Sequence, residues 1–315
     1  SKYRSRILSY IKKHPEFIRP QKWYDYIINE LQKDLEDIPV TRANVSWGIR
    51  VPFASNQTIY VWYDALPNYI SYLNFPENEA RKFQDKYWTE AVHVVGKDIL
   101  KFHAILWPAM LMSVGIPLPK TILVNGFFTV NGVKIGKSNQ NVISPVDLAK
   151  KYGVDALRYA ILTEFQIGND GDFSYERLEG KYNGELADNF GNLLNRVIHL
   201  MNKKEMKINQ ISQVENSFKN KVDGFISKFD NHMSMFEIKE ACDSVSELFS
   251  FGNKYLDDTK PWKSTDDEKD FKVLSNLYYL LSCGVEAFDC IIPSSAKIAK
   301  SALNSLQPII LFKKV

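Results

Sequence analysis

Val124-Asn125-Gly126-Phe127-Phe128-Thr129-Val130-Asn131-Gly132-Val133-Lys134-Ile135-Gly136-Lys137-Ser138 is the stretch on which the reading of this chain turns. It reads as a short strand, a turn at Asn131-Gly132, and a small, mobile loop with two lysines three residues apart. Asparagine and glycine tolerate the left-handed backbone that a tight hairpin turn requires. Two ammonium groups on a glycine-containing loop suit a phosphate-bearing ligand, because each lysine is a point charge that can follow moving phosphates. Taken alone, the same pattern also describes an ordinary solvated surface turn.

Working outward, residues 38–125 alternate short apolar strands with helices. Ile59-Tyr60-Val61-Trp62-Tyr63, Val92-His93-Val94-Val95-Gly96 and Thr121-Ile122-Leu123-Val124 have strand character, and Ile99 to Val114 has helical character. Strand–helix–strand order predicts parallel pairing in an α/β domain. Residues 1–37 read as helical, with Ile7, Leu8 and Ile11 on one face and Trp23, Ile27 and Leu31 on another, and His14-Pro15 breaking the first helix. Beyond the lysine loop, Ser144-Pro145 is a helix start, Gly153 a helix stop, and Asp155 the expected cap of the next helix. From about Gly184 the pattern is helical to the end, with breaks near 202–215, 258–268 and Pro293. That predicts a bundle of four to five helices.

With 315 residues, 45% hydrophobic and 24% charged, the chain has room for two domains and a sizeable core. A net charge of +3 permits contact with nucleic acid without arguing for it. The most apolar run, Ala104 to Pro119, is interrupted by Pro108, Gly115 and Pro117 and falls short of the roughly 20 residues of a membrane span, so no membrane partner is expected. The N-terminus is charged and polar, unlike a signal peptide. Cys242, Cys283 and Cys290 form no Cys-x-x-Cys pair and suggest reduced thiols in a cytoplasmic protein, with Cys283 and Cys290 expected on one buried helix face.

Several residues admit two readings from chemistry alone. Trp62, Ala65, Leu66, Pro67 and Tyr69 suit either a core or an apolar ligand pocket. His103 and Trp107, four apart and so on one helix face, suit either packing or a pocket wall, together with Phe102. Gly96-Lys97-Asp98 ends a strand where α/β sheets bind ligands, and Asp98 could equally cap the helix that follows. Asn192 and Arg196 project together from a helix, and Trp262 follows Pro261 at a helix entrance. No nucleophile elbow, metal-binding His pair or Gly-x-Gly-x-x-Gly is present.

Three further segments set the lysine loop in a context: Tyr60-Val61-Trp62-Tyr63-Asp64-Ala65-Leu66-Pro67-Asn68-Tyr69-Ile70, Val94-Val95-Gly96-Lys97-Asp98-Ile99-Leu100-Lys101-Phe102-His103-Ala104-Ile105-Leu106-Trp107-Pro108, and Leu186-Ala187-Asp188-Asn189-Phe190-Gly191-Asn192-Leu193-Leu194-Asn195-Arg196. In that order and at those separations the chain resembles the methionyl-tRNA synthetases, a family of class I aminoacyl-tRNA synthetases, over nearly its whole length and most specifically between Trp47 and Arg196. Lys134-Ile135-Gly136-Lys137-Ser138 is similar to the family's Lys-Met-Ser-Lys-Ser loop, with Ile135 for Met and Gly136 for Ser.

The resemblance implies an activity: ATP-dependent formation of methionyl-adenylate, with Mg²⁺ assisting ATP, then transfer to tRNA-Met. It implies a methionine pocket of Trp62, Ala65, Leu66, Pro67, Tyr69, Phe102, His103 and Trp107, in which His103 would hydrogen-bond the thioether sulfur. It implies an ATP site at Gly96, Lys97, Asp98 and Lys137, and a catalytic loop of Lys134, Lys137 and Ser138. Asn192, Arg196 and Trp262 would read the anticodon, while Arg42 lies in a family-like segment with no assigned role. The implied layout is the C-terminal half of a Rossmann-type parallel sheet in 1–125 (1–37 a helical lead-in), a loop and stem-contact connector in 126–183, and an α-helical anticodon-binding domain in 184–315. No zinc is expected, since no ligand set for the family's zinc knuckle is present. The class I His-x-Gly-His signature is absent from the sequence. The chain is therefore expected to be the C-terminal portion of a synthetase that lacks the N-terminal half of the catalytic domain and is inactive alone. A non-catalytic tRNA-binding module, a split-synthetase subunit, or a class I synthetase for another amino acid are the alternatives.

Overall fold

A computed structural model describes residues 1–43, 45, 47–73, 86–211 and 214–315, with the side chains of Lys86 and Lys137 outside the description. The chain folds as two compact units, Ser1–Phe127 and Phe128–Val315.

In the first unit, α1 (Arg4–Lys13) buries Ile7 and Ile11 and stops at His14 (φ −126°, ψ 75°), which a following proline keeps out of the helical region. A short turn leads to β1 (Ile18–Arg19), then α2 (Gln21–Gln32) with Ile27 and Leu31 inward. β1 is a strand the sequence did not advertise: two residues carry no periodicity, yet Ile18 pairs in parallel with Ile122. β2 (Thr41–Arg42), β3 (Arg50–Val51) and β4 (Ala54–Ile59) form a small antiparallel sheet with β4 in the middle.

The strand expected at Ile59–Tyr63 ends at Ile59. Val61–Ala65 is helical (α3), followed by α4 (Asn68–Ser71). Strand-favouring aromatics lose here to packing. Trp62, Leu66 and Ile70 recur at helical spacing, Leu66 and Ile70 are buried, and Trp62 stacks on Phe102. After α5 (Lys86–Thr89) comes β5 (Val92–Gly96), then a helix that opens with a π-helical turn, Phe102–Leu106, and continues as α6 (Trp107–Ser113). β6 (Thr121–Asn125) closes the unit. β1, β6 and β5 make an all-parallel sheet in that order, with β5 at one edge.

The second unit begins with β7 (Phe128–Val130) and β8 (Val133–Lys134), an antiparallel hairpin turning at Asn131 (φ 52°) and Gly132 (φ 74°). α7 (Pro145–Tyr152) starts as expected, with Ser144 Oγ accepting the Asp147 N–H at 3.2 Å, and ends at Gly153 (φ 88°, ψ 151°). Gly153 also occupies the cap position of α8 (Val154–Thr163), so Asp155 does not cap that helix. Its buried carboxylate instead accepts the Ser295 N–H at 2.5 Å, in the first turn of a helix far along the chain. β9 (Gly171–Asp172) pairs in parallel with β7.

α9 (Tyr175–Lys181) runs without a break through a ten-residue π-helical stretch, Tyr182–Gly191, into α10 (Asn192–Lys203). α11 (Asn216–Ser234), α12 (Ile238–Thr259), α13 (Asp267–Phe288) and α14 (Pro293–Ser305) complete the bundle. The break between α11 and α12, at Met235–Glu237, contains neither proline nor glycine and turns on Phe236 at φ 62°. One hydrophobic core runs from Leu148 to Leu303, so the connector and the bundle share a unit. Gly252 and Gly284 let helices approach there: a Cβ on Gly252 would lie 2.8 Å from Leu193 Cδ2, and one on Gly284 2.5 Å from the Phe249 ring. Cys290 lies beyond the end of α13 and is exposed, whereas Cys283 is half-buried, so the two do not share a buried face. No helix among the described residues is long and apolar enough to cross a membrane.

Candidate functional site

The first unit holds a box of aromatic side chains beside the parallel sheet. Alternation along β5 turns His93 inward, 5% exposed, while Val94 points outward at 62%. Trp62 from α3 stacks on Phe102 with centroids 4.2 Å apart, and His103 meets Trp62 edge-on at 5.8 Å. Tyr69 from α4 stacks on His93 at 4.2 Å and lies 6.1 Å from the Trp107 ring. Trp88 closes the far side, edge-on to both His93 and Trp107. Trp62, Tyr69, Phe102, His103 and Trp107 are thus brought together. Leu66 is buried beneath them in the core of the unit, and Ala65 and Pro67 are half-buried on the same helical segment. His93 and Trp88 were missed by sequence reasoning. Their only signal was polarity or bulk at inward positions of short elements.

The hydrogen bonds in the box fix its protonation. His103 Nδ1 lies 3.0 Å from the Ile99 carbonyl, which can only accept, so the ring proton sits on Nδ1. Nε2 is then an acceptor for the Tyr69 hydroxyl at 2.9 Å. Burial lowers the His103 pKa, partly offset by the bond to Ile99, and this favours the neutral ring. Both His103 nitrogens are therefore engaged, and the expected donation from this imidazole to a ligand sulfur has no N–H to make it. His93 Nε2 accepts the Trp107 indole N–H at 3.2 Å, which again places the proton on Nδ1. Burial, reinforced by His103, pushes the His93 pKa down to about 4.

At the C-terminal end of β5, Gly96 occupies the capping position of a short turn, Lys97–Ile99, and Asp98 lies inside that turn instead of capping it. The Asp98 carboxylate leans over Gly96, so that a Cβ there would come 2.7 Å from Asp98 Oδ1. Lys97 Nζ stands 4.5 Å from the centre of the Phe127 ring. A cavity of about 590 Å³, lined among others by Tyr63, Asp98, Lys101, Phe102, Ile105 and Met110, shares Phe102 with the box. A second, of about 800 Å³, is lined by residues including Arg42, Trp47, Tyr60 and Asp64, with the Arg42 guanidinium 3.7 Å over the Tyr60 ring.

In the second unit the lysine loop is tied down by two asparagines. Asn139 Nδ2 donates to the Lys134 carbonyl at 2.8 Å, and Asn141 Nδ2 donates to the Val133 and Lys134 carbonyls at 3.2 Å each. Asn141 Oδ1 accepts the Gly136 N–H at 3.0 Å. Asp172 holds the hairpin turn by accepting from the Gly132 N–H at 2.8 Å and from Thr129 Oγ1 at 2.7 Å, which lowers its pKa. Lys134 and Ser138 are exposed, and the Lys137 side chain lies outside the described residues.

On the bundle, Arg196 reaches Trp262. Its guanidinium stands 5.5 Å from the ring centre and pairs with Asp257 at 2.6 Å. Trp262, 37% exposed, sits on the turn Pro261–Lys263 after Lys260 in the left-handed region (φ 46°). Asn192 is exposed one turn before Arg196. Asp257 was not foreseen from the sequence, because an acidic residue near a helix end has many ordinary reasons to be there.

Residues 1–198 match the family profile of class I tRNA synthetases (M), and residues 207–307 match that of the anticodon binding domain of methionyl tRNA ligase. A methionine–tRNA ligase of Fusobacterium nucleatum is 39% identical over 274 residues, which cover 85% of this chain and 43% of the relative. One of Caldanaerobacter subterraneus is 39% identical over 286 residues, covering 90% of this chain and 45% of the relative. The chain thus spans less than half the length of these curated relatives. The solved structure of Mycobacterium tuberculosis methionyl-tRNA synthetase in complex with methionyl-adenylate superposes with a TM-score of 0.85 at 30% identity, over 95% of this chain and 61% of that one.

Proposed function

Since the chain belongs to the class I tRNA synthetases of the methionyl type, we propose that it supplies the amino-acid pocket, part of the ATP site and the anticodon-binding domain of a cytoplasmic methionine–tRNA ligase. In that reaction a methionine carboxylate oxygen attacks the α-phosphorus of ATP, pyrophosphate leaves, and the methionyl group passes to the 3′ end of tRNA-Met.

The observation that carries the reading is the aromatic box of Trp62, Tyr69, Phe102, His103 and Trp107. A thioether is unbranched and polarizable and favours aromatic walls, with Ala65, Leu66 and Pro67 completing the apolar surface. Gly96, Lys97 and Asp98 stand at the carboxyl end of a parallel strand, where α/β sheets take nucleotides. There Asp98 would accept from ribose hydroxyls. Lys134, Lys137 and Ser138 would bind the phosphates, with Lys137 stabilising charge on departing pyrophosphate and Mg²⁺ assisting. Arg196 and Trp262, already in contact, offer a cation and an aromatic face to unstacked anticodon bases, with Asn192 adding an amide.

A second reading makes the chain one subunit of a split synthetase, or a tRNA-binding module without catalysis. It is favoured by the open edge of β5. Among the described residues no strand pairs there, and Val94 is 62% exposed in a parallel sheet of a kind normally covered on both faces. On either reading we expect no methionine-dependent ATP–pyrophosphate exchange from this chain alone.

Binding to initiator tRNA-Met, beside the same tRNA with its CAU anticodon changed, tests the assignment. Loss of binding on the anticodon change and in Trp262→Ala is expected. Equal binding to both tRNAs with a steep salt dependence would leave only generic electrostatic contact and would sink the anticodon reading.

A further inference from the structure

Within the aromatic box one polar side chain has no part in the function proposed above. His93 is the second residue of β5, 5% exposed, where strand and burial favour an aliphatic residue. It contacts the box on several sides: stacked on Tyr69 at 4.2 Å, edge-on to Trp88 at 5.8 Å and to His103 at 6.2 Å, and accepting the Trp107 indole N–H at 3.2 Å. An indole nitrogen can only donate. Without an acceptor at this place, the Trp107 N–H would be buried and unpaired, at a cost that favours some other rotamer of the ring.

We propose that His93 is the positioning residue of the amino-acid pocket. Its Nε2 fixes the rotation of Trp107, its ring face fixes Tyr69, and through these two walls it sets the width of the slot that receives a linear thioether side chain. The proposal rests on the reading of the box as the methionine pocket. Leucine or valine at position 93 would fill the volume but offer no acceptor, and serine or asparagine would offer an acceptor but no stacking face. The imidazole does both, provided it stays neutral, since a second N–H would abolish the acceptor. Its low pKa agrees with that requirement.

The test uses the ¹⁵N-labelled chain, with the Trp107 indole resonance assigned through Trp107→Phe. The variants are His93→Phe, which keeps the stack and removes the acceptor, and His93→Gln, which keeps an acceptor. Each is titrated with methionine and with leucine, whose branched side chain a narrow slot excludes. In His93→Phe the indole N–H resonance should move and exchange faster, methionine affinity should fall about tenfold, as expected for one lost hydrogen bond in a wall, and the preference over leucine should narrow. His93→Gln should restore the Trp107 indole bond and recover part of the affinity, short of the unsubstituted chain because the face stacked on Tyr69 is lost. A folded His93→Phe whose stability drops while methionine affinity and preference stay unchanged would overturn the proposal. If His93→Phe does not fold, a folded His93→Leu, which offers neither acceptor nor stacking face, with methionine affinity and preference unchanged does the same. No methionine-dependent shift in the unsubstituted chain would remove the pocket reading itself and the proposal with it. The Trp107 resonance reports the His93 bond independently of that outcome.

Discussion

The carboxylate of Asp155 accepts the backbone N–H of Ser295 at 2.5 Å, joining the start of α8 to the first turn of α14 across 140 positions of sequence. An acidic group in the first turn of a helix is what its unpaired amides and positive end favour. The same helix end receives no side chain from its own cap residue, Ile292. Asp155→Ala should lower stability by about 1–3 kcal/mol, the range for leaving a buried donor unpaired. Asp155→Asn, which keeps an acceptor, should lose less. Urea denaturation of the two variants checks the order.

Gly153 combines φ 88° with ψ 151°, a region that only glycine enters without strain, although nothing lies within 4 Å of a built Cβ. Gly153→Ala should therefore destabilise the second unit by about 1–3 kcal/mol through the backbone alone. The shift in midpoint of thermal unfolding measures it.

Acid should weaken the first unit before the ordinary carboxylates titrate. The His93 pKa is depressed in the folded chain to about 4 from 6.5, so the unfolded chain binds the extra proton first. The resulting stability is fully present above pH 6.5 and is lost as pH falls from 6.5 towards 4, to a total of about 3 kcal/mol. His103, also lowered by burial, acts in the same direction. A stability–pH curve flat between pH 6.5 and 4.5 would contradict this. His93→Phe should flatten the curve in part.

Asn141 makes three of the hydrogen bonds that hold the lysine loop. Asn141→Ala should leave global stability within about 1 kcal/mol, because the loop is largely exposed. It should raise amide exchange at Gly136 well above that of the β7–β8 pair. Unchanged exchange at Gly136 would show that Asn139 alone suffices.

Where the sequence announced structure, it did so through residues with narrow conformational habits. Asn131-Gly132 could turn a hairpin, Ser144-Pro145 could start a helix, and Val92–Gly96 and Thr121–Asn125 had the run of β-branched residues that a buried parallel strand needs. The four-residue spacing of Asn192 and Arg196 held on α10. What stayed hidden depended on partners distant in sequence. β1 exists because β6 offers it an edge, Trp62 is helical because Phe102 receives it, and Asp155 serves α14 instead of its own helix. Trp62, Tyr69, Phe102, His103 and Trp107 could be read from resemblance, whereas Trp88 and His93 could not. The proton positions that decide what His103 can donate required the distances to Ile99 and Tyr69.

The ten-residue π-helical stretch Tyr182–Gly191 bears on how this chain tolerates changes of length. A turn closed by i→i+5 bonds holds an extra residue relative to an α-helical turn. Each residue of an α-helix advances the face by about 100°. Shortening the stretch by one residue could therefore be absorbed by tightening a turn, with α10 keeping its bearing, whereas the same deletion inside α10 would swing Arg196 away from Trp262. A deletion scan along Tyr175–Lys203 would then show tolerance confined to the wide stretch, marking it as the place where the length of this helix can change without re-aiming what it carries.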